Sequence, residues 1–204
     1  MAFVNLKKKE IQVKIVYYGP GGAGKTTNLV RIYDKIRPQA CHSLVSINTQ
    51  GDRTLFFDFL PVRIGRIHGF NLVVQLYTVP GQIKYNATRR LVLMGVDGIV
   101  FVASCLNEER RKNLWALRNL SSNLACYNVD SKNVPCVFQY NKTDLSEKGF
   151  QLLSLDKLEK DLNADSKSPS FAASALTGQN VMETLKKIIA MTLRTVKKEL
   201  AKLA

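Results

Sequence analysis

The segment IQVKIVYYGPGGAGKTTNLVRIYDKI, Ile11–Ile36, gives the strongest indication of the fold. It starts with a mostly apolar run typical of a buried strand and ends with apolar residues at helical spacing. The turn between them, Gly19–Thr26, fits the pattern G-x-x-x-x-G-K-[ST]. Glycines allow such a turn to curl around phosphates with its N–H groups pointing inward, and the following helix presents its positive end. A chance glycine turn is the alternative, but the flanking strand and helix favour a phosphate site.

The turn therefore predicts a nucleotide-binding loop. We expect Lys25 to reach the β- and γ-phosphates and Thr26 to hold a Mg²⁺ ion. The residues expected to surround the phosphates are Gly19, Gly21, Gly22, Ala23, Gly24, Lys25, Thr26 and Thr27.

Strand and helix patterns alternate along the remaining chain. Buried strand runs are predicted at Asp97–Ser104 and Val134–Asn141, and two extended runs around His68-Gly69 predict a hairpin. This alternation favours a three-layer α-β-α fold with a mainly parallel sheet of six or seven strands and one antiparallel hairpin strand. The length of 204 residues suits one domain over residues 1–204. In such folds, ligands bind at the carboxyl ends of the strands.

A second motif, Asn141-Lys142-Thr143-Asp144, follows one of these strands. The Asp144 carboxylate can accept hydrogen bonds from guanine N1–H and the exocyclic amine, which adenine does not offer. Such a site discriminates by roughly 10⁴-fold. Alone the motif is weak, because turns are rich in Asn and Asp, but its place downstream of a phosphate loop predicts guanine. Ser174-Ala175-Leu176 is similar to a loop that supports the other edge of guanine, unless it is an ordinary small-residue loop.

Candidates for hydrolysis flank the predicted hairpin. Thr54 precedes its first strand and is predicted to complete Mg²⁺ coordination, while the adjacent Arg53 would neutralise charge on the transferring phosphoryl group. From spacing alone, Arg53 could equally be a plain surface arginine. Gln82 follows Pro80-Gly81 and is predicted to orient the attacking water, or else to face solvent in a loop.

With these motifs in order, the chain resembles small Ras-like GTPases over nearly its whole length, and among them the bacterial MglA family of gliding-motility and cell-polarity GTPases. The resemblance is carried by KIVYYGPGGAGKTTNL, DRTLFFDFLP, LYTVPGQIKYNATRRLVLMGVDGIVFVA and QYNKTDL. It implies binding of GTP and GDP with Mg²⁺ and slow intrinsic hydrolysis accelerated by MglB, a roadblock-fold homodimer. It also implies that Arg53 and Gln82 form the catalytic pair in cis. The GTP form would gather at a cell pole with effector and exchange-factor proteins and serve motility systems such as type IV pili.

One position departs from the wider Ras-like pattern. Those GTPases carry Asp-x-x-Gly-Gln where this chain has Thr78-Val-Pro-Gly81-Gln82, and the threonine is a mark of the MglA family. Thr78 and Gly81 are expected at the nucleotide, but a neutral hydroxyl should hold a metal-bound water less tightly than a carboxylate. We predict that Asp58, on the neighbouring strand, supplies the carboxylate. The alternative is an edge residue that faces solvent.

Lysine and arginine exceed aspartate and glutamate by 30 − 16 = 14. This favours an acidic partner: a protein, a nucleotide, an anionic membrane or a nucleic acid. The cations are scattered over Lys7–Lys9, Arg89-Arg90, Arg110–Lys112 and the last helix, and solvated helix faces explain most of them. Nucleic acid is not favoured, since no aromatic-rich basic block occurs, and peripheral membrane contact stays open.

A cytoplasmic protein is expected, because no apolar run reaches about 18 residues and the first residues carry no signal-peptide pattern. The functional reading is a GTP switch that hydrolyses its nucleotide. The alternatives are an adaptor locked in one nucleotide state, and a basic membrane or nucleic-acid binder that uses the nucleotide only for structure. An ATPase is the least favoured.

Overall fold

The computed structural model describes residues 3–36, 44–48, 56–67 and 69–203. The strands are β1 Phe3–Asn5, β2 Glu10–Tyr18, β3 Val45–Asn48, β4 Phe56–Ile67, β5 Phe70–Thr78, β6 Gly98–Ser104, β7 Cys136–Asn141 and β8 Ser170–Ala173. The helices are α1 Lys25–Ile36, α2 Asn86–Leu93, α3 Arg110–Ala125, α4 Leu155–Leu162 and α5 Val181–Leu203.

All described strands belong to one sheet with the order β3-β4-β5-β2-β6-β7-β8, and β1 pairs with β2 beside this path. The pairs from β5 through β2, β6 and β7 to β8 are parallel. The pairs β3–β4, β4–β5 and β1–β2 are antiparallel. The predicted mixed, mainly parallel α/β fold is confirmed. The described strands number eight rather than six or seven, because the short β1 and β3 join the sheet.

Two cores lie on opposite faces of this sheet, since successive side chains of a strand point to opposite sides. Ile15 of β2 enters the core that contains Leu29 of α1 and Ile188 of α5. Its neighbour Val16 enters the other core, which contains Leu120 of α3. Helices therefore cover both faces, and β6 between them is buried at all seven of its residues.

The topology collects the predicted motifs at one edge. The loops that follow the parallel strands β2, β5, β7 and β8 all leave from the carboxyl edge of the sheet. Strand β4 runs in the opposite direction, with Phe59 paired to Tyr77, so the start of β4 lies at the same edge. Asp58 thereby reaches the end of β5 although it is distant from the other motifs in sequence.

In the described part of the chain, no helix is both long enough and apolar enough to cross a bilayer.

Candidate functional site

A cavity of about 630 Å³ opens at the carboxyl edge of the sheet. The glycine-rich turn after β2 forms one wall, and the ends of β4 and β5 with the loop after β5 form the other. The residues that line it include Gly21, Gly22, Gly24, Lys25, Thr26, Thr27, Asp58, Thr78, Gly81 and Gln82. The structure thus brings together most of the residues predicted for the phosphate side, in a volume typical of small-molecule sites.

Close contacts explain why two positions of this cavity are glycine. Gly24 has φ +96°, and a Cβ there would overlap the side-chain amide of Asn141. A Cβ at Gly81 would overlap the backbone of Gly21. The turn after β2 and the loop after β5 are therefore in direct backbone contact, with no room for a side chain between them.

Lys25 lies buried beside the turn, with 7% of its surface exposed. Its Nζ donates to the carbonyl oxygens of Gly19 at 3.0 Å and Pro20 at 2.7 Å. Burial, together with the positive charge of Arg89, lowers the pKa of Lys25 to about 7, although the Asp58 carboxylate acts in the opposite direction. A buried cation whose charge is disfavoured in this way fits an anionic ligand such as a nucleotide phosphate.

Asp58 faces the cavity from β4. Its Oδ2 accepts hydrogen bonds from Thr26 Oγ1 at 2.6 Å and Thr78 Oγ1 at 2.8 Å. Its backbone N–H donates to the same Thr78 hydroxyl at 2.9 Å. Because Asp58 is 8% exposed and β4 lies between β3 and β5, it is not an edge residue that faces solvent.

The donor set around Asp58 suits a hard cation, because Mg²⁺ prefers oxygen ligands. It consists of one carboxylate and the hydroxyls of Thr26 and Thr78. Within the described ranges, no group of three or more His, Cys, Asp or Glu side chains could hold a metal ion. A Mg²⁺ ion here would thus need phosphate oxygens and water as further ligands. Thr54, also predicted as a ligand, lies outside the described residues.

The loops predicted to select guanine are joined to the phosphate turn by Asn141. This side chain is 2% exposed. Its Nδ2 donates to the Ala23 carbonyl at 2.7 Å, and its Oδ1 accepts from the Ala175 N–H at 2.7 Å. One amide therefore holds the turn after β2 and the loop after β8 in a fixed relation, which makes Asn141 an organising residue of the edge.

The other residues predicted for the base occupy the same loops. Lys142 adopts a left-handed conformation with φ +76°, and Asp144 is half-buried. Ser174 is fully buried, whereas Leu176 is 54% exposed.

Of the predicted catalytic pair, Arg53 lies outside the described residues. Gln82 lies at the rim of the cavity, where its side chain is exposed. A short 3₁₀ turn, Ile83–Tyr85, follows it and leads into α2.

Arg89 on α2 has a role that the sequence did not indicate. It is 1% exposed, so its interpretation as part of a scattered, solvated charge excess is wrong. Its guanidinium donates to the carbonyl oxygens of Pro80 at 3.2 Å and Gln82 at 2.6 Å, and to Asn119 Oδ1 at 2.9 Å. It also lies 5.0 Å from the ring centre of Trp115. Arg89 therefore ties the loop that carries Gln82 to α3.

Sequence comparisons agree with this geometry. The Ras family model matches residues 14–194. The chain is also similar to the mutual gliding-motility protein MglA of Myxococcus xanthus (strain DK1622), with 46% identity over 198 residues that cover 97% of this chain and 99% of that protein. The chain therefore belongs to the Ras family and is an MglA-like small GTPase, a guanine-nucleotide-binding switch.

Proposed function

We propose that this GTPase hydrolyses bound GTP to GDP and phosphate, and that its GTP form controls cell polarity or motility through nucleotide-dependent partners. The observation that carries the proposal is the Asp58 carboxylate, which is bonded to both Thr26 and Thr78 in the cavity that buried Lys25 shares. This arrangement supplies a cation for the phosphates and oxygen ligands for Mg²⁺. The alternative of an inert adaptor gives no reason for Gln82 at the rim of the same cavity.

In this proposal the turn after β2 binds the phosphates through its N–H groups, Lys25 and Thr26. Asn141 fixes the distance between that turn and the guanine loops. Asp144 accepts from the guanine ring edge, and Ser174, Ala175 and Leu176 support the base from its other side. Lys142, in the same loop as Asp144, contributes to the nucleotide site.

The proposed metal ligands are Thr26, Thr54 and Asp58, directly or through water. When bound, Mg²⁺ neutralises charge on the phosphate oxygens. Thr78 keeps Asp58 in place, since its hydroxyl donates to the carboxylate and accepts from the backbone of the same residue.

For the chemical step, Gln82 orients a water for in-line attack on the γ-phosphorus, and the bond to the β–γ bridging oxygen breaks. Arg53 stabilises the charge that develops on the transferred group. Positioning is the main contribution of the protein in such a reaction, so the ordering of the Gln82 loop by Arg89 supports this assignment.

The partners we propose are a roadblock-fold homodimer similar to MglB, which accelerates slow intrinsic hydrolysis, and effector and exchange-factor proteins at a cell pole. The support is the 46% identity to a protein named for gliding motility. The cytoplasm is the proposed location.

Phosphate release from GTP, measured with and without the roadblock-fold homodimer, tests this function. We expect slow release alone, stimulation by the homodimer, and loss of stimulation in Gln82→Ala with unchanged GTP affinity. Retention of GTP without release under both conditions would instead establish the adaptor.

A further inference from the structure

The end of the molecule opposite the nucleotide cavity carries a basic surface. It is built by the turn between β1 and β2, the end of β4 and the last turns of α5. We call it the basal face and define it by Phe3, Leu6, Lys7–Lys9, Arg66 and Lys197–Lys198. All of these side chains are exposed.

The three lysines project from an ordered turn. The Lys9 N–H donates to the Leu6 carbonyl at 3.3 Å, and the Lys8 N–H donates to Asn5 Oδ1 at 3.0 Å. The Lys9 carbonyl accepts from the Asn71 N–H at 2.7 Å, which fixes the turn against the start of β5. Arg66 Nε donates to Asn71 Oδ1 at 3.1 Å. Arg66 therefore lies on the same end of the sheet as the lysine turn.

Helix α5 brings further cations to this end. It begins after the loop that follows β8 at the carboxyl edge of the sheet. At Thr192 it crosses the amino end of β6, where a Cβ at Gly98 would overlap the Thr192 hydroxyl. The helix thus runs antiparallel to β6, and Lys197 and Lys198 extend beyond this crossing with exposed side chains.

Two carboxylates near these charges accept hydrogen bonds from other groups. Glu10 accepts a hydrogen bond from Gln12 Nε2 at 3.0 Å. Asp97 accepts from the Lys14 backbone N–H at 2.8 Å. The Asp97 charge also raises the pKa of the Lys14 ammonium, which burial lowers. Lys7–Lys9, Arg66, Lys197 and Lys198 contribute six positive charges against these two carboxylates, so the basal face is basic.

Apolar side chains occur among the cations. Leu6 at the tip of the turn is 74% exposed, and Phe3 is 60% exposed. Exposed apolar groups ringed by lysines suit the headgroup region of a bilayer, where apolar groups insert and cations meet anionic lipid. A nucleic-acid backbone would use the cations but not Leu6.

We propose that the basal face docks on bilayers that contain anionic phospholipids, with Leu6 at the boundary of headgroups and acyl chains. Strand β2 has nine residues and spans about 30 Å, so docking turns the nucleotide cavity away from the bilayer. The loops after β2 and β5 then stay open to partner proteins. This docking does not depend on GTP hydrolysis.

Flotation of the full-length, GDP-loaded protein with vesicles tests the proposal. We expect binding to phosphatidylcholine vesicles that contain phosphatidylglycerol, little binding to phosphatidylcholine alone, and weakening with added salt. Each lysine near an anionic surface strengthens partitioning about fivefold, so Lys7→Ser, Lys8→Ser and Lys9→Ser together should weaken it about a hundredfold. Leu6→Ser should weaken it about tenfold.

The matched control replaces Lys157, Lys160 and Lys187 with serine, an equal charge change on α4 and the first half of α5. It should leave vesicle binding within about threefold of the original, and equal losses in both triple variants would overturn the assignment to the basal face. GDP affinity of each variant reports its fold. Absence of vesicle binding, or tight binding to a short DNA duplex that displaces vesicles, would also overturn the proposal.

Discussion

The Thr78 hydroxyl donates to the Asp58 carboxylate at 2.8 Å and accepts from the Asp58 backbone N–H at 2.9 Å. The residue at the end of β5 therefore holds a carboxylate that belongs to β4. The pair places one negative charge beside Thr26 at the bottom of the cavity. A carboxylate can thus be present at this edge although the residue at the strand end is neutral.

If Asp58 serves Mg²⁺, Asp58→Asn should lose most of the effect of Mg²⁺ on nucleotide affinity. Loss of such a group costs roughly tenfold to a hundredfold in metal affinity. Fluorescent GDP affinity in the presence of Mg²⁺ and of a chelator measures the effect. Thr78→Val should show a smaller loss, because the carboxylate stays while one donor disappears. Asp34→Asn on the exposed face of α1 is the control, and an equal Mg²⁺ effect in Asp58→Asn and Asp34→Asn would refute the role.

Asn141→Ala should destabilise the fold by roughly 2–4 kcal/mol, because two buried backbone groups lose their hydrogen-bond partner. These groups are the Ala23 carbonyl and the Ala175 N–H. Urea unfolding measures the change in free energy. Thr143→Ala is the comparison, since its hydroxyl donates to the Ala173 carbonyl from a partly buried position; it should cost about 1 kcal/mol. Similar values for both variants would argue against a linking role of Asn141.

Arg89 is expected to act as a positioning residue for Gln82. Arg89→Lys should lower the turnover number on the order of tenfold to a hundredfold, since small displacements of reacting groups cost that much, with GTP affinity retained. Arg89→Met should be slower still, because it donates no hydrogen bond to the Pro80 and Gln82 carbonyls. Single-turnover phosphate release measures the rate.

The control for Arg89 is Arg90→Lys, because Arg90 Nε donates to Asn123 Oδ1 rather than to the Gln82 loop. It should keep the original rate. A fall in affinity and rate by the same factor in Arg89→Lys would show a general loss of the site instead of a positioning effect.

Proton uptake should accompany nucleotide binding at pH 8. In the ligand-free protein Lys25 has a pKa of about 7, below its ordinary 10.5, so it is mostly neutral at pH 8. Phosphates favour the charged form, so binding should take up close to one proton. Calorimetric titrations of GDP in two buffers of different ionisation enthalpy measure the uptake.

The lowered pKa of Lys25 also makes the stability of the folded protein depend on pH. Between about pH 7 and 10.5 the unfolded chain binds more protons at Lys25 than the folded chain, so this group makes the ligand-free protein more stable as pH rises through that window. Lys25→Arg stays charged at pH 8 and should bind without uptake. Binding of GDP to the original protein with no uptake at pH 8 would contradict the shift.

Runs of apolar residues in the sequence predicted the buried strands of the sheet. The strands predicted at Asp97–Ser104 and Val134–Asn141 correspond to β6 and β7, which begin one and two residues later. Helix α2 was not predicted, and short strands β1 and β3 form only by pairing with distant segments.

In the candidate site, too, residues within one sequence motif could be predicted, whereas those joined only by tertiary contacts could not. The turn Gly19–Thr26 carries its chemistry in consecutive residues, so its pattern could be read directly. The proximity of Asp58 to Thr78 followed from the hairpin, because antiparallel pairing places the start of one strand at the end of the other. Arg89 could not be found this way, since its role arises from contacts with a preceding loop and with α3. Arg53 and Thr54 stay predictions.

The contact between the Gly21 and Gly81 backbones has a mechanical consequence. Side chains can absorb a small displacement by changing rotamer, but two backbones in contact cannot. The contact between the Gly21 and Gly81 backbones is therefore rigid. Any shift of the turn around the phosphates must move Gly81, and Arg89 carries that shift from the Pro80 and Gln82 carbonyls into α2. Leu91 on α2 is 48% exposed. A partner that binds the outer surface of this helix would therefore contact an element mechanically linked to the turn around the phosphates.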